Sequence, residues 1–539
     1  MTKRRLAIIG CGSSGLISLK YAVDELPSWE IVCYEQTDRL TGCWGNPYPG
    51  FVSTSTKYTT QFSCFPRYGA TMTPDGGESR AEFFRDGEYG EYLERFADQF
   101  DLRKHVRFHH RVAELDRDEN RWRLSLVDLA ANSPEDPSSE HFDALLLCTG
   151  LAAVPKSTGD RTKQLPLSEL HGPQGLDHIN NKTIVVLGGG ESAVDYARRL
   201  AKSELNNNVY LSLQSGIRVS PRYHPIRGVP SDYLRNRLML SIHEDIRNWI
   251  GQRFVEMRIR YEDGFRKWFP EQQQAEQQQS VAQARKDWAF RLTKAAKDDL
   301  FNMFHNKSDD FLDAVGDGRL QIIGPPVDES MQCFFQFDSA TNASALTEDT
   351  IDLRPDLIVP AIGYKSTIEQ WSAGVRVQDF RLGCVHVDDP NLFLVGFARP
   401  IIGNIPTISE MQARYVTGLL SGKLSRAHDI KQQHHRDRLW RTERYQKLNL
   451  EAVYPVEMFP YCDELANAMR CGVNVKNLGA VRKWWHAWTS PATTLHYWFE
   501  DEGARRFYED AKTHLPTLLV VLLLALKPLD WIYRWIRRT

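Results

Sequence analysis

Two short glycine-rich stretches carry the residue types that hold a dinucleotide. GCGSSG at 10–15 supplies Gly10, Gly12 and Gly15, with Cys11, Ser13 and Ser14 between them. GGGESA at 188–193 supplies Gly188 and Gly190, with Ser192 in the turn, Ala193 in the last glycine's place and Asp195 just beyond. In such a turn the first glycine permits the tight bend and the second lets the backbone approach a pyrophosphate. The third lets helix and strand pack closely. The phosphates then meet free N–H groups at a helix N-terminus, where the dipole also favours an anion. Glu35 stands about 20 residues after Gly15, where a ribose-binding acid belongs. Two such sites in one chain imply two nucleotides, one held permanently and one exchanging. FAD reduced by a nicotinamide explains the pair best. Hydride and oxygen chemistry then belong to the cofactors, and the protein supplies orientation and exclusion of water.

The turns require a strand before them and a helix after them, and the sequence provides both. LAIIG leads into the first turn, GLISLKYAVDEL continues with helical spacing, and EIVCYE is a strand ending on Glu35. VRFHHRVAELD, RWRLSLVDL and FDALLLCTG read as further strands. KTIVVL leads into the second turn, YARRLA continues as helix, and NVYLSLQ follows as strand. Strands alternating with helices at this spacing predict an α/β fold with parallel sheets covered on both faces. The predicted organisation is two dinucleotide-binding, Rossmann-like domains, the second inserted in the first. The first part of the FAD domain spans 1–156 and the NAD(P)H domain 157–340, with a helical insertion at about 220–310. The FAD domain returns over 341–430, a polar, tryptophan-bearing helical block spans 431–514, and a membrane anchor spans 515–539.

The order of several further motifs resembles the flavin-containing monooxygenases along nearly the whole chain. EQTDRLTGCWG is similar to that family's acid followed by Gly-Gly-x-Trp, with Gly42 and Trp44 matching and Cys43 between them. FVSTSTKYTTQFSCFP resembles its flavin-side segment, which contributes Ser53, Thr54 and Ser55. YGEYLERFADQFDL followed by VRFHHRVAEL places Val112 where a backbone contact to the FAD adenine is made. DLIVPAIGYKS keeps Gly363 and Tyr364 of the family's Phe-Ala-Thr-Gly-Tyr, and LVGFARPIIGNIPTISEMQARY resembles its next FAD segment. The resemblance implies that NAD(P)H reduces FAD, O2 adds to flavin C4a, and the hydroperoxide passes one oxygen to a soft nucleophile, nitrogen or sulfur. The protein's task is to keep that intermediate dry and hydrogen-bonded. The partners are a small nucleophilic substrate and O2. No metal is required.

Three departures from the family pattern bear on this reading. The family has an Asn three residues before a Lys in the flavin-side segment. Here Lys57 fits, but Thr54 stands in the Asn place and offers one hydroxyl instead of an amide. Thr54 is the candidate catalytic residue, and Ser53 or Ser55 could compensate for it. Arginines that read the NADPH 2′-phosphate are replaced by Gln214 and Ser215, so bidentate recognition is missing there. Arg218 and Arg222 are close enough in sequence to substitute. NADPH is expected, with NADH as its rival. In the stretch LPLSELHGPQGL, only His171 matches a Phe-x-Gly-x3-His element that Baeyer–Villiger enzymes keep more strictly. The alternatives are an NAD(P)H oxidase releasing H2O2, a Baeyer–Villiger oxygenase, and, from a different class, a membrane-tethered flavoprotein scaffold. A disulfide reductase would need a redox cysteine pair beside the flavin, and none of the nine cysteines forms CxxC.

Composition narrows the partners. The 539 residues carry a formal charge of −2, which gives no electrostatic footprint for nucleic acid. The strand pattern begins almost at once, so no signal peptide is expected. The tail THLPTLLVVLLLALKPLDWIYRWIRRT has an apolar run over 515–526, then Trp531, Tyr533 and Trp535 as an interfacial belt, and Arg537 and Arg538 as a basic tip. It is expected to anchor the chain, spanning or monotopic, with the catalytic part facing the cytosol, at the endoplasmic reticulum in a eukaryote. The oligomeric state is open.

Overall fold

The computed structural model describes residues 3–45, 47–69, 83–118, 120–131, 137–158, 163–165, 175–223, 230–267, 279–296, 299–337, 349–369, 371, 374–446, 448–498, 501–509 and 517–538. His171 lies outside them.

Two sheets carry the site. The apolar runs RLAII and ALLL are buried on both faces, as a parallel strand under helices requires. Arg5–Ile9 pairs in parallel with Glu30–Tyr34 on one side and Ala144–Leu147 on the other. The seven strands run Phe380–Arg381, Val385–His386, Leu392–Leu394, Ala144–Leu147, Arg5–Ile9, Glu30–Tyr34 and Val106–Arg107. The chain therefore leaves this sheet after residue 147 and returns to it more than 230 residues later.

The second sheet fills that interval. TIVVL forms Thr183–Leu187, which pairs in parallel with Asn208–Ser212 and with Leu357–Pro360. Leu320–Pro326, Cys333–Gln336 and Thr350–Asp352 complete six strands. The sequence division at residue 341 falls short here, because Leu357–Pro360 belongs to the second sheet. Its run LIVP is apolar in the manner of every buried parallel strand, so composition does not tell which sheet takes it.

The insertion is helical, with Glu244–Lys267 and Gln279–Lys294 as its main elements. The second of these closes on the nucleotide domain. The Gly216 N–H donates to the Ala295 carbonyl at 2.7 Å, and a Cβ on Gly216 would lie 2.1 Å from the Leu292 carbonyl oxygen. The block after residue 431 is not purely helical. Its strand Tyr454–Glu457 pairs with Ala398–Ile402 and ties the block to the first domain.

The tail forms one helix, Thr517–Arg538, with Pro528 inside it. Among the described residues, no helix is long and apolar enough to cross a membrane, which corrects the spanning form of the anchor. Lys527, Asp530 and Arg534 break the apolar run, and Lys527 and Asp530 turn inward. Asp530 accepts from the His243 N–H at 2.7 Å, and Lys527 donates to the Ser241 carbonyl at 3.1 Å.

Candidate active site

The two glycine turns are built alike. Gly10 has φ +93°, and a Cβ there would meet the Cys148 carbonyl oxygen at 2.7 Å. Gly188 has φ +116°, and its Cβ would meet the Ala361 carbonyl oxygen at 2.4 Å. Each turn thus presses on the residue just past a neighbouring parallel strand, in a backbone conformation that favours glycine. Helices Ser13–Glu25 and Glu191–Leu200 begin after Gly12 and Gly190, and no side chain caps either. Their first-turn N–H groups are left for a phosphate. Gly12 and Gly42 also lie back to back: a Cβ on Gly42 would sit 3.0 Å from the Gly12 Cα, so the GCW turn roofs the first loop. This cradle fits a flavin dinucleotide.

The neighbouring predicted residues take several roles. Glu35 is buried at the first loop, one oxygen accepting from the Cys11 N–H at 2.8 Å and the other from the Thr37 N–H at 3.0 Å. Ser13 opens the helix, but Ser14 bonds the Ser409 hydroxyl at 2.9 Å and packs against helix Ile405–Leu420. Trp44 meets Tyr89 edge-on at 4.9 Å while Cys43 is exposed. Val112 is buried, and its carbonyl accepts from the Trp371 indole at 3.4 Å. In the second loop Ser192 is half-buried and Ala193 buried. Asp195 is engaged by the Tyr48 hydroxyl of the first domain and by Arg198 at 2.8 Å. It bolts the two domains together.

The flavin-side strand Val52–Thr56 is gripped by residues far away in sequence. Three successive carbonyls accept from the second domain: Val52 from Arg222 at 2.8 Å, Ser53 from Arg222 at 3.1 Å, and Thr54 from Lys307 Nζ at 2.5 Å. Asp232 receives the Thr56 N–H at 2.9 Å and the Thr59 hydroxyl at 2.8 Å. The Ser53 hydroxyl is spent on the Ser55 carbonyl and the Phe84 N–H, which joins the strand to Phe83–Arg85. The Thr54 and Ser55 hydroxyls make no hydrogen bond among the described residues. Since neighbouring strand residues face opposite ways, they point to different sides. Lys57 is pinned to Glu88 at 3.0 Å.

This arrangement corrects the expected replacement for the phosphate-reading arginines. Arg222 is consumed by the flavin-side strand and Asp309, and Arg218 is buried with a 2.6 Å bond to Gln252. Both lie near Gln214 in sequence, but the packing draws their guanidiniums inward. Gln214 itself is exposed, and no acid stands at Gln214 or Ser215.

Sequence reasoning missed the charged residues between the two loops. Lys307 is buried, and its N–H donates to Glu191 at 3.1 Å. Asn306 donates to the Gly189 carbonyl at 2.8 Å. Burial pulls the Lys307 amine below its ordinary pKa and pushes the Glu191 carboxyl above its own. Burial, with Arg235 nearby, lowers His305 to about 3. Glu191 was in plain view within GGGESA, but Lys307 lies in HNKSDD, which has no motif. Only the pairing of Val219–Ser220 with Asn306–Lys307 brings it in.

Residues 3–286 match the flavin-binding monooxygenase-like family. A 4-hydroxybenzoate brominase (decarboxylating) of Marinomonas mediterranea is 25% identical over 437 residues, covering 78% of this chain and 74% of the relative. Flavin-containing monooxygenase 1 of Homo sapiens is 24% identical over 454 residues, with the same coverage of 78% and 74%. Among solved structures, the OTEMO complex with FAD and NADP superposes with a TM-score of 0.57 at 14% identity, over 87% of this chain and 98% of that one. At that identity the likeness is one of fold.

Proposed function

The chain belongs to the flavin-binding monooxygenase-like family, and from that membership we propose an FAD-dependent, NADPH-driven enzyme that transfers one oxygen of O2 to a nitrogen or sulfur nucleophile. The observation that carries the reading is the pair of matched glycine turns, joined through Lys307 to the strand that holds Thr54. Bound FAD supplies the hydride acceptor and the oxygen-activating centre. The chain's residues bind and orient. The N–H groups after Gly12 hold the flavin pyrophosphate and Glu35 its ribose, while those after Gly190 hold the nicotinamide nucleotide. Arg222 and Lys307 fix the backbone of Val52–Thr54, so that the Thr54 hydroxyl keeps one position at the reacting edge. The absence of an acid beside Gln214 favours NADPH over NADH.

The test is anaerobic mixing with NADPH or NADH, followed by O2 in the presence of a tertiary amine, a thioether or a ketone. Bleaching of the flavin, then one N-oxide or sulfoxide per NADPH, supports the proposal. An ester from the ketone transfers it to Baeyer–Villiger chemistry. Stoichiometric H2O2 with every substrate makes the enzyme an oxidase, and a protein without reducible flavin leaves the scaffold reading.

The tail carries a second reading, that the enzyme lies on the cytosolic surface of a membrane. Leu523 packs on Leu238 and Ile242, whereas Val521, Leu522, Leu529, Trp531, Trp535 and Ile536 face outward. Trp531 and Trp535 are 70% and 61% exposed. An amphipathic helix with tryptophans on its apolar side and Arg537 at its end suits an anionic interface.

A further inference from the structure

Two arginines near Glu191 have no hydrogen-bond acceptor among the described residues. Among the described residues, Arg235 and Arg399 are each half-buried, yet neither side chain makes an ion pair or a hydrogen bond. Three other arginines of the region are paired with acids: Arg237 with Asp463 at 2.8 Å, Arg247 with Glu457 at 2.9 Å, Arg222 with Asp309 at 3.2 Å. A desolvated guanidinium without an anion is costly, so two in one place call for an occupant.

The segment Phe304–Lys307 brings them together. The Arg399 guanidinium lies 3.7 Å over the Phe304 ring, which covers one face and leaves its edge donors open. His305, the next residue, feels the Arg235 charge. Lys307 then reaches the Thr54 carbonyl at 2.5 Å. Arg235 interacts first with Asp232 and then with the Glu191 carboxyl, the acid at the mouth of the second loop, and Arg399 interacts with Glu191. Burial pushes that carboxyl toward its neutral form, so it is a poor counter-charge. Arg235, Arg399 and Lys307 thus face two carboxylates, Asp232 and Glu191, beside the flavin-side strand.

We propose that Arg235 and Arg399 form a carboxylate-binding site, so that the nucleophile oxidised by this enzyme bears a carboxylate. The claim rests on the oxygen-transfer reading above and names the substrate class for that same site. A planar carboxylate matches the fork of guanidinium donors, and the Phe304 ring gives the carbon skeleton an apolar wall.

Calorimetric titration of the purified full chain with benzoate, and with the isosteric neutral benzamide, tests it without turnover. Each titration is made with and without saturating NADP+. Benzoate is expected to bind about 10- to 100-fold more tightly than benzamide, the span of one or two charge-assisted hydrogen bonds. Arg235→Gln and Arg399→Gln each remove most of that preference, and Arg399→Lys restores part of it. Circular dichroism confirms that the variants fold. Equal binding of the two probes overturns the proposal, as does a preference that survives both Gln variants. Benzoate binding abolished by NADP+ also overturns it, because the arginines then hold a nucleotide phosphate. Failure of NADPH to reduce the flavin counts against the oxygen-transfer reading, whereas a missing benzoate preference in a reducible enzyme sinks the carboxylate site alone.

Discussion

Lys307 Nζ donates to the Thr54 carbonyl at 2.5 Å while the Lys307 N–H donates to Glu191 at 3.1 Å. One residue therefore spans the second nucleotide turn and the flavin-side strand. Lys307→Met removes the side-chain donor and keeps much of the bulk. A lost hydrogen bond of ~1 kcal/mol is expected to raise H2O2 released per NADPH by about fivefold. Peroxide yield against NADPH consumption, without added substrate, checks this.

Thr54→Ala removes the hydroxyl of the residue whose carbonyl Lys307 holds. Peroxide release is expected to rise by about fivefold or more, with substrate turnover falling in step. Unchanged leakage and turnover would remove Thr54 from the site.

Cofactor choice is expected to be indifferent to Arg218 and Arg222. Both guanidiniums point into the protein, so Arg218→Ala and Arg222→Ala should shift the NADPH-to-NADH ratio of kcat/KM by less than about threefold. Loss of a buried charged hydrogen bond should instead cost ~1–3 kcal/mol of stability. Steady-state kinetics with both nucleotides and urea unfolding separate the two effects.

His305 gives a pH signature. Its folded pKa is lowered to about 3, below the model-peptide value of about 6.5, because burial disfavours the charged ring. Between those values the unfolded chain binds the extra proton, so stability falls as pH falls through that window. At pH 5 the loss is about 1–2 kcal/mol relative to pH 8. Urea midpoints at the two pH values should show that loss in the parent enzyme and a smaller one in His305→Gln.

The outward face of Thr517–Arg538 should bind vesicles containing phosphatidylserine. Trp531→Ser with Trp535→Ser is expected to reduce co-flotation about tenfold or more, since each indole contributes well over 1 kcal/mol on burial. Equal flotation of parent and double variant would rule the helix out as the contact.

The sheets and glycine turns were legible because local pattern dictates them. TIVVL before GGG and RLAII before GCG specify strand and turn in a few residues. The spanning anchor was misjudged because the apolar run over 515–526 was read along the chain. Asp530 shows that the helix uses its charges to dock. The boundary at 341 failed for a related reason, since LIVP suits either sheet. Lys307 and Asp232 were illegible: each meets the flavin-side strand across more than 150 residues, and neither sits in a periodic or spaced motif. Arg235 and Arg399 lie in no motif either. Asp195 follows the second glycine turn, and only the fold reveals Tyr48 as its partner.

Glu410 is fully buried and accepts from the Tyr21 hydroxyl at 3.0 Å, the Ser63 N–H at 2.9 Å and the Thr494 hydroxyl at 2.8 Å. Those donors come from the first helix, the stretch following the flavin-side strand, and the C-terminal block. The acid lacks its full complement of partners until residue 494 has left the ribosome. Completion of this joint is thus a late event in the chain's synthesis, and a nascent chain halted before Thr494 would leave the buried Glu410 carboxylate one donor short.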